Sequence, residues 1–472
     1  MEDTWKSLTD PVLLVVFSYL DVRELNIASR TCKNWYRVAQ DESLWKCLTF
    51  RRLGCRYSRH NAISWKSELK RLTYHVPVYL HQTCEGHVDE VYYVCFSNSG
   101  QLLATCGADG IVNIWRYGHD TALMHSKQIV DNPSYVNYVE FNKAETHLLV
   151  HCVCREDEFF NTVAILSIEK GAIQIVAARS SEIPQFRGTW LSNNTFLNAD
   201  TTDSSSPDDW KLTACKLMDE VLDENDPSLG LRIQNFLSKK NLDVKILLHM
   251  EGMAFYANFV KVIDWSEWNY DVANGQQTNT TTNEMVAALY LQSKNLEKHN
   301  RIVFYKINLD SPDPVAPQPI KTIVINSECL GIQLSEDHRC LVYNLRRLSA
   351  DEYNIWHEKE VVTMVINLKK MEEKPETFDD NKPLENSFNL SYFFPSVSTD
   401  LVANESDPDI VHLWDRHSHQ IVSRLSHRLP NAPTQNGVSA VAFHPRDQEV
   451  LVSVADDRKL RIWMSTNRQR HC

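Results

Sequence analysis

One pattern recurs at both ends of this 472-residue chain and leaves few folds open. Its first copy runs Gly86-His87, Val91-Tyr-Tyr-Val-Cys-Phe96, Leu102-Leu-Ala-Thr-Cys106, Asp109-Gly110 and Ile111-Val-Asn-Ile-Trp115. The last copy runs His427, Val438-Ser-Ala-Val-Ala-Phe443, Val450-Leu-Val-Ser-Val454, Asp457 and Leu460-Arg-Ile-Trp463. Another, Leu401-Val-Ala-Asn404 with Ile410-Val-His-Leu-Trp414-Asp415, precedes it, and Trp414 and Trp463 are 49 positions apart. Each copy consists of short β-forming runs between turn residues, too short to be stable alone. A repeated unit of that kind must bury its faces against its neighbours.

The copies resemble WD repeats, in which each unit is a four-stranded antiparallel blade of a propeller. The resemblance implies one buried hydrogen-bonded set per blade: His87, Thr105, Asp109 and Trp115 in the first, and His427, Ser453, Asp457 and Trp463 in the last. Trp414-Asp415 is the one Trp-Asp pair in the chain, but Asn404 stands at the Ser/Thr position of that copy and Pro408 at the Asp position. That set is expected to be broken. Recurrence at blade spacing makes these His and Asp residues structural rather than catalytic.

The middle of the chain continues the pattern in weaker form. Runs at 136–141, 148–153, 162–168 and 172–177 predict a second blade, and runs at 189–191, 196–199 and 212–217 a third. Runs at 245–249, 255–264, 286–291 and 302–308 predict a fourth, and 330–334, 340–345 and 361–368 a fifth. That makes about seven blades over 76–466, with polar insertions near 200–228, 270–284 and 371–387. The last copy supplies three strands, and 76–83 has no blade of its own. Residues 76–83 are therefore expected to close the ring as the outer strand of the last blade.

Residues 1–75 read differently. They carry 13 Lys/Arg against 8 Asp/Glu in a chain whose net charge is −12. Leu13, Leu14, Phe17 and Leu20 share one helical face. Asp21 and Glu24 form a capping box for a second helix holding Leu25 and Ala28. Thr31 and Asp41 are caps for a third helix, with Cys32, Trp35 and Val38, and a fourth, with Leu44, Trp45 and Leu48. Helices this short bury little by themselves, so their apolar positions are expected to meet a partner.

The run Leu8-Thr-Asp-Pro-Val-Leu-Leu-Val-Val-Phe-Ser-Tyr-Leu20, then Glu24-Leu25, Cys32-Lys-Asn-Trp35 and Asp41-Glu-Ser-Leu-Trp45, resembles an F-box. Thr9 stands where that family carries Pro. The resemblance assigns 1–50 to the F-box. It implies that Leu8, Pro11, Leu13, Leu14, Phe17, Leu20, Leu25, Cys32, Trp35, Leu44 and Trp45 bind the adaptor Skp1. The basic stretch 51–75 reads as a solvated helical linker beside an acidic partner. Up to Arg71 only Tyr57 and Trp65 interleave its charges, too few for a nucleic-acid patch.

Composition removes other classes. The acidic balance is wrong for nucleic acid or an anionic membrane. The longest early apolar run, 12–17, is far short of the roughly 20 residues a bilayer needs. Met1-Glu2-Asp3 is acidic where a secretory leader is basic. The 12 Cys include no CxxC pair and read as reduced thiols. A cytoplasmic protein is expected, with nuclear or centrosomal pools, and with no membrane or nucleic-acid partner. No phosphate loop, dinucleotide fingerprint, zincin or nucleophile-elbow motif occurs. His151-Cys152-Val-Cys154 lacks two further ligands and reads as a buried strand, so no metal or cofactor is expected.

The expected architecture is an all-β WD40 β-propeller preceded by a small all-α F-box, similar to the F-box/WD-repeat family. The resemblance implies a non-catalytic substrate receptor of a cullin-RING ubiquitin ligase. Its F-box would bind Skp1, and through it cullin-1 and a RING subunit, while the propeller would hold a protein substrate. Two other readings stay open: a WD-repeat scaffold with no ubiquitin role, and a receptor for a DDB1–cullin-4 ligase. For the latter Arg416 is the candidate contact, one position early for the Trp-Asp-x-Arg pattern. No motif marks the substrate-binding residues.

Overall fold

The computed structural model describes residues 8–54, 64–154, 160–168, 173–181, 183, 186–203, 206–218, 242–250, 255–263, 284–293, 299–308, 318–325, 327–335, 339–350, 356–373, 378, 394–407, 409–427 and 437–470. Pro408, the basic residues Arg56 and Arg59, residues 204–205 and 219–228, and most of the stretches 270–284 and 371–387 fall outside them.

Among the described residues, five helices open the chain: α1 (Asp10–Ser18), α2 (Val22–Ala28), α3 (Lys33–Ala39), α4 (Glu42–Leu53) and α5 (Trp65–Tyr74). Local chemistry explains their starts. Pro11 sits in the first turn of α1, where its missing N–H costs nothing. The Asp21–Glu24 capping box opens α2. Asp41 accepts the Ser43 N–H at the start of α4, and Ser64 accepts the Ser67 N–H at the start of α5. The residue at the cap of α3 is Cys32 rather than Thr31, and its side chain makes no capping bond.

Twenty-eight strands follow among the described residues, in seven four-stranded antiparallel sheets. β1 (Pro77–Glu85) comes first in the chain. Blade one is β2 (Val91–Phe96), β3 (Leu102–Gly107), β4 (Ile111–Arg116) and β5 (Ala122–Gln128). Blade two is β6 (Tyr135–Phe141), β7 (His147–Cys154), β8 (Phe160–Ser167) and β9 (Gln174–Ser181). Blade three is β10 (Thr189–Trp190), β11 (Thr195–Asp203), β12 (Ser206–Leu217) and β13 (Leu242–Met250). Blade four is β14 (Phe255–Ile263), β15 (Glu284–Ser293), β16 (Asn300–Asn308) and β17 (Pro319–Ile325). Blade five is β18 (Glu328–Leu334), β19 (Cys340–Ala350), β20 (Trp356–Asn367) and β21 (Glu372–Glu373). Blade six is β22 (Ser396–Val397), β23 (Leu401–Asp407), β24 (Ile410–Asp415) and β25 (Ile421–Ser426). Blade seven is β26 (Val438–His444), β27 (Asp447–Ala455) and β28 (Lys459–Ser465), completed by β1. A one-turn helix, α6 (Thr466–Gln469), ends the described chain.

The blades bury both faces, which is why their middle strands read as unbroken apolar runs. β3, β7 and β24 are buried along nearly their whole length, whereas the outer strands β5 and β17 are mostly exposed. The ring closes as expected: β1 pairs antiparallel with β28, Leu80 opposite Trp463 and Cys84 opposite Leu460. Closure leaves the first and last blades without an open junction.

Two strand assignments need correction. The run at 245–249 does not begin blade four. It lies in β13 and completes blade three, with Ala214 opposite Lys245. Blade four is completed instead by β17, which follows a Pro-rich stretch and is exposed over its first four residues. Periodicity identifies a strand, but the choice of partner belongs to the tertiary structure. Parts of the polar stretches expected as insertions are also paired: Thr201 lies opposite Trp210 in a long hairpin, and Glu372–Glu373 is β21.

Candidate functional site: an exposed helical face fixed to a propeller

The helical module has its own core. Leu13, Phe17, Leu25, Leu44 and Trp45, expected at the adaptor face, are buried inside it with Val38, Trp65, Leu69 and Leu72. Leu8, Leu14, Leu20 and Trp35 pack partly against the same cluster. The Phe17 and Trp35 rings meet edge to face at 5.4 Å, and the Trp45 indole donates to the Ala39 carbonyl at 2.8 Å. Of the expected contacts, Pro11 alone is exposed, while Cys32 is half-buried. The five buried side chains hold the module together from inside.

The surface that remains was not singled out from the sequence. Val12, Val15, Val16 and Tyr19 form a second stripe on α1 at i, i+3, i+4 and i+7, and Tyr19 is 81% exposed. Ile27 on α2 and Tyr36 on α3 are 60% and 58% exposed. Several large apolar side chains left in water on one small module mark an interaction surface.

The stretch 51–75 is not a solvated linker where it is described. α4 continues to Leu53, and α5 packs onto it through Phe50 and Trp65, whose rings meet at 5.5 Å. Glu42 accepts the Trp65 backbone N–H at 2.8 Å. Two of the described basic side chains bind within the protein: Arg51 donates to the Ser18 carbonyl at 2.8 Å, and Lys66 lies 4.7 Å from the Trp45 ring centre.

α5 also fastens the module to the propeller. Arg71 donates to Glu68, at 3.0 and 2.6 Å, and to Asp415 at the end of β24. Both carboxylates are almost fully buried. Asp415 also accepts the backbone N–H groups of His417 and Ser418. The Trp-Asp residue of blade six is thus an interdomain anchor. His75 bonds Glu449 of β27 at 2.7 Å, Glu449 accepts from Ser465 and Asn467, and Arg470 covers the Tyr74 ring at 5.5 Å. Nearby Asp400 accepts from His417 and Gln448 and feels the Arg71 charge, which hold its pKa at about 2 against burial.

Arg416 turns inward. Its guanidinium donates to the Ser398 carbonyl at 3.1 Å, the Thr399 carbonyl at 3.3 Å and the Cys340 sulfur at 2.9 Å. Its bonds tie the sixth blade to the fifth.

The propeller sets show how similar sequences yield different chemistry. In blade one, His87 Nδ1 bonds Asp109 at 2.9 Å and Nε2 bonds Thr105 at 2.8 Å, while the Trp115 indole donates to Thr105 at 2.9 Å. Burial pushes the Asp109 carboxyl up, but His87 and the Val88 and Ile111 N–H groups outweigh it, and the pKa falls below the usual range. Gly86 is required here, since a Cβ would stand 2.6 Å from Trp115.

In blade seven, His427 Nε2 bonds Ser453 at 2.9 Å and the Trp463 indole donates to Ser453 at 2.7 Å. Asp457 does not touch His427. Arg461 stands between them, donating to Asp457 and, at 3.2 Å, to His427 Nδ1. Burial and the Arg461 charge lower the His427 pKa to about 3. The neutral ring accepts at Nδ1 and carries its proton on Nε2, whereas His87 turns Nδ1 to a carboxylate. In blade six, Asn404 instead bridges to blade five, accepting from Asn344 and donating to Thr363, both at 2.8 Å.

No group of His, Cys, Asp and Glu suited to a metal occurs among the described residues. Cys152 and Cys154 are buried in β7, and burial pushes the Cys152 thiol well up. None of the described helices is long and apolar enough to cross a membrane.

Known proteins agree with this organisation. The F-box-like family model matches residues 5–51, and the model of the WD domain, G-beta repeat, matches 79–116 and 423–464. F-box/WD repeat-containing protein 5 of Homo sapiens is 23% identical, covering 98% of this chain and 95% of its own length. The Mus musculus protein of that name is also 23% identical, covering 97% and 93%. Among solved structures, the β-propeller domain of Myceliophteria thermophila Cps50 (Swd1) superposes with a TM-score of 0.50 at 13% identity, covering 83% of this chain and all of its own. The chain thus joins an F-box-like domain to a seven-bladed WD-repeat propeller, and it is similar over nearly its whole length to F-box/WD repeat-containing protein 5.

Proposed function

We infer that this chain is the substrate receptor of a ubiquitin ligase of the Skp1–cullin-1 type, acting in the cytoplasm. The helical module docks on Skp1, and the propeller holds the protein to be modified. The chain supplies position rather than a reacting group, raising the concentration of substrate lysines near the charged conjugating enzyme. The observation that carries this reading is the exposed apolar stripe Val12, Val15, Val16 and Tyr19 on an F-box-like module whose α5 is pinned to the propeller by Arg71. A rigid joint transmits a fixed geometry, which proximity catalysis needs. The inward bonding of Arg416 offers a DDB1-type partner no extended guanidinium and favours the Skp1 reading.

Full-length Tyr19→Asp and Val15→Asp test it. A carboxylate buried in an interface costs several kcal/mol, so either change abolishes co-purification with Skp1 while propeller unfolding is unchanged. Undiminished Skp1 capture by both variants overturns the assignment.

A further inference from the structure

The exposed stripe sits on a helix with little of its own to hold it. α1 has nine residues, Thr9 at its N-cap makes no side-chain bond, and its last turn carries no basic residue. A helix that short is marginal on its own hydrogen bonds, and its end groups need partners from elsewhere. Two arginines from other helices act at those ends. At the start, Arg37 of α3 holds Asp10 with both terminal nitrogens, Nη1 at 2.7 Å and Nη2 at 2.6 Å. Asn34, one turn earlier on α3, accepts from the same Nη2 at 2.7 Å. Asp10 shares its side of α1 with Leu14 and Phe17, at i, i+4 and i+7, opposite the Val12–Tyr19 stripe. The pair therefore ties α1 to α3 from off the docking surface.

At the other end, Arg51 of α4 donates to the Ser18 carbonyl at 2.8 Å and to the Leu20 carbonyl at 3.4 Å. Those two carbonyls bracket Tyr19, the most exposed residue of the stripe. The last carbonyls of a helix carry partial negative charge, so a cation placed there is stabilising. Because this cation is rooted in α4, whose Leu44, Trp45 and Leu48 lie in the module core, it fixes the α1–α2 turn to that core. The planar guanidinium reaches two acceptors from one stem, which a lysine ammonium on its flexible stem does less well. The Tyr19 and Leu20 amides bond the Val16 and Phe17 carbonyls at 3.2 and 3.1 Å, so their hydrogen exchange reports how well this turn is held.

We propose that Arg51, with Arg37 at the opposite end, is a positioning residue for the partner-binding stripe, setting α1 and Tyr19 in their bound arrangement before the partner arrives. The proposal rests on the Skp1 reading above. Ordering done in the free chain is not charged against binding, so its loss appears as faster release of the partner. The test uses the full-length chain, alone and with Skp1. In the free chain, Arg51→Met speeds amide exchange at Tyr19 and Leu20 by about three-fold or more, and it accelerates Skp1 release by a similar factor. Arg51→Lys lies between the two. Asp10→Arg and Arg37→Asp each speed Skp1 release, and the double reversal recovers most of that loss.

Exchange in α5 and the urea midpoint of the propeller stay at wild type, which shows the module still folded; where Arg51→Met loosens α5 as well, Arg51→Lys carries the comparison. An arginine that simply touched Skp1 gives another pattern: faster release with wild-type exchange at Tyr19 and Leu20 in the free chain. That result overturns the proposal, and so does faster exchange with unchanged Skp1 release. A double reversal no better than the single changes removes Arg37 from the positioning role. Tyr19→Asp and Val15→Asp are scored alongside. If both still capture Skp1, the docking assignment fails and takes the positioning role with it. If both lose Skp1 while Arg51→Met behaves as wild type, only the positioning role is refuted.

Discussion

Removing Asp457 alone should damage the propeller more than removing Asp457 together with its partner. The Asp457 and Arg461 side chains are 7% and 4% exposed, and Arg461 directs both terminal nitrogens at the carboxylate. In Asp457→Ala the guanidinium cannot shed its proton, and its remaining bond is to His427 Nδ1. An uncompensated buried charge costs about 3–5 kcal/mol. In Asp457→Ala with Arg461→Leu both charges leave together. The main residual loss is the unsatisfied His427 Nδ1, worth about 1–2 kcal/mol. The double variant should therefore recover about 2–3 kcal/mol over the single one. Urea unfolding followed by tryptophan fluorescence reads this as a midpoint moving back toward wild type at unchanged m-value. A double variant no more stable than Asp457→Ala refutes the reasoning, because it shows that the guanidinium found solvent or another partner. Asp109→Ala is the contrast: it strands His87 and two backbone N–H groups but no fixed charge, and should cost about 1–3 kcal/mol.

Two further outcomes follow from burial and closure. Burial, aided by the Arg187 charge, lowers the His151 pKa to about 3, so the stability it contributes is full above pH 6.5 and is lost as pH falls toward 3. At pH 5 this costs about 2 kcal/mol, and His427 adds a similar loss. Asp456, raised to about 6 by burial beside Glu90, works in the opposite direction between pH 6 and 4 and returns about 1 kcal/mol. Urea midpoints at pH 7.5 and 5 should show the net loss, with His151→Asn reducing it by about 2 kcal/mol; an unaltered loss in that variant counts against the assignment. Deleting residues 1–85 removes β1 and uncovers the β28 edge, whereas deleting 1–70 leaves β1 paired. Light scattering on heating should separate the two, and identical cooperative melting of both would mean that β1 does not close the ring.

What was legible in the sequence was whatever repetition or local chemistry encodes. The terminal copies announced blades one and seven because each carries its His, its Ser or Thr, and its Trp in order, and those atoms meet in the fold. The Asp21–Glu24 capping box was readable because both bonds join residues three apart. The middle blades were seen as strands but miscounted at one junction. β13 and β17 differ from neighbouring strands only in what they pair with.

The sequence by itself determined that the chain has a helical start, a ring of short-stranded blades and a last blade needing a strand from upstream. These are consequences of residue periodicity and of the strand count. Only the tertiary structure decided which stripe of α1 faces out. Asp10–Ser18 is apolar nearly all round, so the Leu13–Phe17 and Val12–Val15–Tyr19 stripes are equally helical, and packing against α3 and α4 buries the first. It also decided that Arg461 separates Asp457 from His427, and that Asp415 serves the joint through Arg71. Charge pairing is set by which side chains share a buried volume, and residues 344 positions apart acquire that relation only when the ring closes onto α5.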